Sequence, residues 1–188
     1  MKTAQRAVAL KPQSARAHQA LLFTYFARGA FADAFAEGDT ALSLNPLDPT
    51  VRGIYGVILV ATGQLDRGEA FLKEIWAGPN LKPAWLSSHL FLVSYLKGDL
   101  ITASHYANLD ISNTAPLGMV ARVLIAAKTG DRDREGQMIE QLVTVYPVFR
   151  EDPRRALERA IPSAEILDRL THDLAAVGLG LESSSVRQ

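Results

Sequence analysis

Glycine recurs in this chain at nearly fixed intervals, each time closing an apolar segment of helical period. The four sites are Ala27-Arg28-Gly29-Ala30-Phe31, Ala61-Thr62-Gly63-Gln64-Leu65, Leu96-Lys97-Gly98-Asp99-Leu100 and Lys128-Thr129-Gly130-Asp131. The steps from Gly29 to Gly63, Gly98 and Gly130 are 34, 35 and 32 residues. A period of this size is the mark of repeat architecture, in which one supersecondary unit cannot bury its apolar face alone and must stack on its neighbours. Glycine relieves the left-handed strain of ending a helix and turning sharply, so each of these positions predicts the turn of a helical hairpin. Proline marks the other end of the unit. Pro46 lies 17 residues after Gly29, Pro147 lies 17 after Gly130, and Pro12 lies 34 before Pro46; proline there halts a second helix and starts the next unit.

The residues between these marks resemble the tetratricopeptide repeat (TPR). In the first full unit Leu21 and Tyr25 stand at the large apolar positions of the first helix, Ala34 at the small crossing position, Ala41 at the later small position and Pro46 at the terminal proline. The second offers Tyr55, Gly56, Leu59 and Gly63, but has Gly68 for the crossing alanine, Ile75 for the later one, and Asn80 where proline is expected. The third has Leu90, Gly98 and Ala103, with Asp110 at an unusual place, and the fourth has Val123, Gly130, Leu142 and Pro147. The resemblance implies an all-α fold: a right-handed α-solenoid of antiparallel helix pairs with C-terminal capping helices. Four repeats are expected, over 14–46, 47–80, 81–115 and 116–147.

Both ends extend this frame. Ala7 and Pro12 precede Ala41 and Pro46 by one period, so 1–13 is predicted as the second helix of a truncated repeat. The chain is then expected to be a C-terminal fragment of a larger protein, or one whose open end another subunit covers. Over 148–180 two short capping helices are expected, the second with Ser163 as N-cap and an apolar stripe of Ile166, Leu167, Leu170, Leu174 and Val177. Residues 181–188, rich in serine, are expected to be a disordered tail. The capping segment also loosely resembles the tail that succeeds TPR arrays in bacterial adenylate-cyclase-linked and winged-helix regulatory proteins.

Composition excludes several function classes. Twenty basic and twenty acidic side chains cancel, so no global field draws the chain to nucleic acid or anionic lipid, and neither partner is expected. No cysteine is present, which removes thiolate metal sites and thiol nucleophiles and fits a reducing cytoplasm. The most apolar run, Ile54 to Ala61, is far shorter than the roughly 20 residues that cross a bilayer. The first residues lack a secretory apolar stretch, so a cytoplasmic protein is expected, and the resemblance of its tail implies a bacterial one.

Chemical motifs are missing. There is no phosphate-cradling glycine loop, nucleophile elbow or His-Glu-x-x-His pair. His18, His89, His105 and His172 are scattered, with only His89 and His105 placed to meet within one hairpin, and the alternating cluster from Asp131 to Glu135 reads as a solvated helix start. No enzyme activity, catalytic residue, metal or cofactor is expected. The candidate site is the concave face, which the resemblance assigns to the first helix of each hairpin. Its register gives Arg16, Gln19, Phe23 and Phe26 in the first unit and Thr50, Gly53, Val57 and Val60 in the second. The third contributes Trp85, Ser88, Leu92 and Tyr95, and the fourth Leu117, Val120, Leu124 and Ala127. Chaperone-binding members of the family grip a terminal carboxylate there with a set of lysine, asparagine and arginine; this face has Arg16 alone and lacks the set. An apolar face of this extent takes a protein or peptide ligand, unless internal packing, the C-terminal helices or a second copy in a homodimer covers it. The expected function is a protein-interaction scaffold, with a regulatory or sensory domain of a cyclase or winged-helix regulator as the alternative.

Overall fold

In a computed structural model describing residues 1–79, 82–109 and 115–180, every regular element among the described residues is helical. Asn80, Asp110 and the expected tail over 181–188 lie outside the described residues. The chain divides into two compact units, Met1–Asn80 and Leu81–Gln188.

The first unit contains α1 (Lys2–Leu10), α2 (Ala15–Phe26), α3 (Phe31–Leu44), α4 (Pro49–Ala61) and α5 (Leu65–Ala77). Helices α2 and α3 form one antiparallel hairpin and α4 and α5 a second; α1 packs on α2, and α4 packs on both helices of the first hairpin. Local chemistry sets the boundaries. Ser14 caps α2 by accepting from the Ala17 amide at 3.3 Å, and Asp48 caps α4 from Thr50 at 2.8 Å, with Pro49 opening the helix. The core holds Leu22, Ala34, Tyr55, Ile58 and Leu59, with Phe26, Phe35 and Phe71 packed round it.

Two close approaches hold this unit together. A Cβ on Gly68 would lie 2.8 Å from the Gly56 carbonyl oxygen and 2.9 Å from the Val60 nitrogen, so the backbones of α4 and α5 nearly touch. Between the hairpins, the Tyr55 ring fills the space a side chain at Gly38 would need. Its hydroxyl reaches the Asp39 carboxylate at 2.9 Å and the Phe35 carbonyl at 3.1 Å. Arg67 pairs with the same carboxylate and lies over the ring at 5.0 Å. Burial and the neighbouring Asp39 charge push the Tyr55 hydroxyl pKa well up, so it stays a neutral donor.

The second unit contains α6 (Ala84–Leu96), α7 (Leu100–Leu109), α8 (Pro116–Thr129), α9 (Arg132–Val145), α10 (Val148–Glu151), α11 (Pro153–Leu157) and α12 (Ala164–Ala175). Helices α6 and α7 pair, α8 and α9 pair, and α8 lies against both α6 and α7. Ser163 caps α12 through the Ile166 amide, and Ile166, Leu167, Leu170 and Leu174 are its buried side.

The four periodic glycines have φ of 74°, 94°, 79° and 73°. In each case the amide of the next residue bonds a carbonyl five back, as Asp131 does to Ala126 at 3.1 Å. This is the bonding of a Schellman turn, whose left-handed residue favours glycine. Gly178, at φ 88°, ends α12 in the same way through Leu179 and Leu174. One position departs from the repeat's chemistry. Where Ala34 and Ala103 are small and fully buried, the fourth hairpin places Glu135, only 7% exposed. Its carboxylate takes Arg132 in a bidentate pair at 3.0 and 3.2 Å, so this acid is not part of a solvated cap.

Candidate functional site

The residues that share the groove register divide sharply by unit. In the second unit Ser88, Leu92, Tyr95 and Leu124 are all at most 3% exposed, while Trp85, at 38%, is exposed and Ala127 is half-buried. Leu117 and Val120 are buried as well. From Leu117 to Ala126 every residue of α8 is buried, and a helix buried on all sides must be covered on its groove face too. Within this unit α11 packs on α8, and α12 bonds the ends of both α6 and α8 through one carboxylate.

That carboxylate is Asp173. One oxygen accepts from the Tyr95 hydroxyl at 2.9 Å and from Arg169 Nε at 2.8 Å; the other accepts from Lys128 Nζ at 3.1 Å. Burial alone would raise the acid's pKa. The bonds from Lys128, Tyr95 and Arg169 outweigh it and hold the pKa below the usual carboxylate value. Tyr95 moves the other way, pushed up by burial and by the Asp173 charge beside it. Tyr95, one of the aromatic residues of the groove register, is thus engaged from within its own unit.

In the first unit the equivalent face is open. Arg16 and Phe23 are exposed, Gln19, Phe26 and Val57 are half-buried, and Val60 is buried against α5. Thr50 is exposed and Gly53 buried. Arg16, Ala20, Phe23 and Ala27 succeed each other at helical spacing and form the exposed side of α2. Phe23, 56% exposed, rests against Phe26 with ring centroids 6.5 Å apart, and Phe26 lies 6.1 Å from Phe31. Because Phe26 packs on the core, the exposed ring stands on rigid support.

The same two helices carry a charge asymmetry that overall neutrality conceals. Residues 1–32 contain Lys2, Arg6, Lys11, Arg16 and Arg28 and no acidic residue. All five are exposed and none forms an ion pair among the described residues. Of the three acids of α3, Asp39 holds Arg67 and Glu37 holds His18 at 2.6 Å, while Asp33 stands exposed in the first turn. The other His18 nitrogen lies 2.9 Å from the Pro12 carbonyl. Two acceptors on one ring require two N–H donors, so the geometry selects the imidazolium. Burial opposes that charge, but Glu37 and Pro12 together raise the pKa above 6.5.

Sequence reasoning missed both the Asp173 cluster and the basic run. Asp173 is 78 residues from Tyr95 and 45 from Lys128, a separation with no sequence signal. The basic run was visible as 32 residues without an acid, once charge was counted by segment.

Polar groups elsewhere hold helices together. A cleft of ≈ 430 Å³ in the second unit is lined by Asp152, Arg154 and Thr171 among others. Asp152 caps α11 through the Arg155 amide at 2.9 Å, and Arg154 pairs with Asp168. Among the described residues no cluster of three or more His, Asp or Glu could hold a metal ion, and no helix is long and apolar enough to cross a membrane.

No protein-family model matches the chain, and no curated protein matches it in sequence. Solved structures do match. PilW, a widely conserved type IV pilus biogenesis factor, superposes with a TM-score of 0.68 at 17% identity, covering 93% of this chain and 83% of its own. PilF of Pseudomonas aeruginosa superposes with a TM-score of 0.69 at 20% identity, covering 93% of this chain and 78% of its own. With the glycine-turned hairpins and the C-terminal helices of the second unit, these likenesses establish an all-α, TPR-type solenoid fold of antiparallel helix pairs.

Proposed function

We propose that this chain is a non-catalytic protein-interaction scaffold, and that a peptide or helix docks on the open α2 face of the first unit around Phe23. The observation that carries this is the contrast between units. The groove register of the second is largely buried, with Tyr95 bonded to Asp173 of α12, while that of the first leaves a supported aromatic ring 56% exposed. Exposed aromatic anchors on rigid backing supply much of the energy in protein interfaces. That a protein of the same fold is a type IV pilus biogenesis factor supports a role in building an assembly over small-molecule chemistry.

The test is selection of helical peptides from a randomised display library against the whole chain, then binding to Phe23→Ser and Ala20→Arg variants. Binders lost on both variants support the proposed face. Binders indifferent to both, or an empty selection, refute it. Light scattering across a concentration series checks for a second copy as occupant, since a dimer dissociated by Phe23→Ser would assign the face to self-association.

A further inference from the structure

We propose that the partner recognised by the first unit is an acidic amphipathic helix, its apolar stripe on Phe23 and Phe26 and its carboxylates against the cations of α1 and α2. This rests on the α2 docking face and adds the chemistry of its occupant.

Two observations point to it. The first is charge. Lys2, Arg6, Lys11, Arg16 and Arg28 are exposed, and no acidic residue interrupts them over residues 1–32. Arg16 stands two turns from Phe23 on the same side of α2, so a cation and the exposed ring share one stripe. On α1 the half-buried side is Ala4, Ala7 and Val8, which leaves Lys2 and Arg6 outward, four residues apart. Packed helices lie about 8–10 Å apart, comparable with a Debye length of about 8 Å at physiological salt. The fields of α1 and α2 therefore add over the α2 face.

The second is a carboxylate that engages one residue of the same register in the other unit. Helix α12 is amphipathic, buries Ile166, Leu167, Leu170 and Leu174, and carries Glu165, Asp168 and Asp173 against one arginine, Arg169. Its Asp173 meets a lysine and a tyrosine at the ends of the two first helices. A carboxylate of an amphipathic helix meeting a cation and an aromatic at the ends of a pair of first helices is thus an arrangement this chain already uses.

A nucleic acid strand is also anionic, but the face does not suit it. Stacked bases need a row of accessible rings. On the α2 face Phe23 alone is open among the described residues, and its neighbour is tilted by 58° and half-buried.

The experiment uses the full chain and three synthetic helices of about five turns. All share one leucine stripe, and their polar faces are glutamate, glutamine or lysine. Fluorescence anisotropy is read at about 50 mM and about 0.5 M salt, where the Debye lengths differ severalfold. The glutamate helix should bind roughly tenfold tighter than the glutamine helix at low salt, with most of the difference gone at high salt. Phe23→Ser should weaken every helix that binds. The double variant Arg6→Glu and Arg16→Glu, at exposed positions that leave helicity unchanged, should invert the order so that the lysine helix binds best. Equal binding of the glutamate and glutamine helices, both lost on Phe23→Ser, would overturn the charge assignment and leave the docking face standing. Binding that ignores Phe23→Ser, or no binding by any helix, would overturn both. Tight binding of a single-stranded oligothymidylate with none by the glutamate helix would replace the proposal with a nucleic-acid ligand.

Discussion

Replacing Gly68 with alanine sets helix propensity against packing in a way the structure resolves. In an isolated helix the change would stabilise by about 1 kcal/mol. Here the added carbon would sit 2.7 Å from Val60 Cγ2, 2.8 Å from the Gly56 carbonyl oxygen and 2.9 Å from the Val60 nitrogen. Carbon contacts are comfortable at about 3.5–4.0 Å, so the gap must open by roughly 1 Å. Two of the three obstacles are backbone atoms, so no side-chain rotation opens it; α4 and α5 must separate. Overpacking costs about 1–3 kcal/mol, and a gap of that size also forfeits a quarter to a half of each affected dispersion contact. The net expectation is a loss of about 2 kcal/mol, equivalent to about 4–8 °C in a chain of this size. Gly136, in the middle of α9, has nothing within 4 Å of its added carbon. Gly136→Ala should therefore gain about 0.5–1 kcal/mol. Both variants are tracked by circular dichroism during thermal unfolding. In a Trp85→Phe background the remaining tryptophan, Trp76 in α5, reports on the first unit alone. A Gly68→Ala protein as stable as its parent, beside a stabilised Gly136→Ala protein, would refute the claim that the α4 and α5 backbones are in contact.

Three further outcomes are expected. The folded pKa of His18 is raised above 6.5; its contribution is therefore fully present below about pH 6.5 and lost as pH rises through the folded value. The urea midpoints of wild type and His18→Gln should converge on that rise, and a difference that does not shrink would show that His18 is not held as an imidazolium. Asp173→Ala strands a buried hydroxyl and a lysine and should cost about 2–3 kcal/mol, against about 1 kcal/mol for Tyr95→Phe. The native Asp173 pKa is lowered, so its contribution holds above the unfolded value near 3.8 and disappears as pH falls through the folded value, which acid titration of wild type against Asp173→Asn would read. Phe23→Ser should change stability by no more than about 0.5 kcal/mol, while Leu92→Ser, at the same register but fully buried, should cost about 3–5 kcal/mol; equal losses in the two variants would erase the distinction between an open and a filled face.

Local chemistry was enough for the sequence to determine the hairpins. Ending a helix at Gly29, Gly63, Gly98 or Gly130 depends on backbone freedom within a few residues, and Ser163 caps its helix through an amide three residues on; neither needs a distant partner. Which residues of one helix share a side was legible for the same reason, because helical spacing fixes it. Exposure on that side was not legible. Phe23 and Leu92 hold equivalent positions, yet one is 56% exposed and the other fully buried, and the carboxylate that engages Tyr95 lies 78 residues from it. The same limit applies to Glu135, which fits the pattern of a solvated helix start and is instead buried beside Arg132. Period and capping are properties of neighbours along the chain, so the sequence alone determined them. Which faces stay open, and which charges stay unpaired, depends on contacts between residues far apart in sequence, and only the tertiary structure decided those.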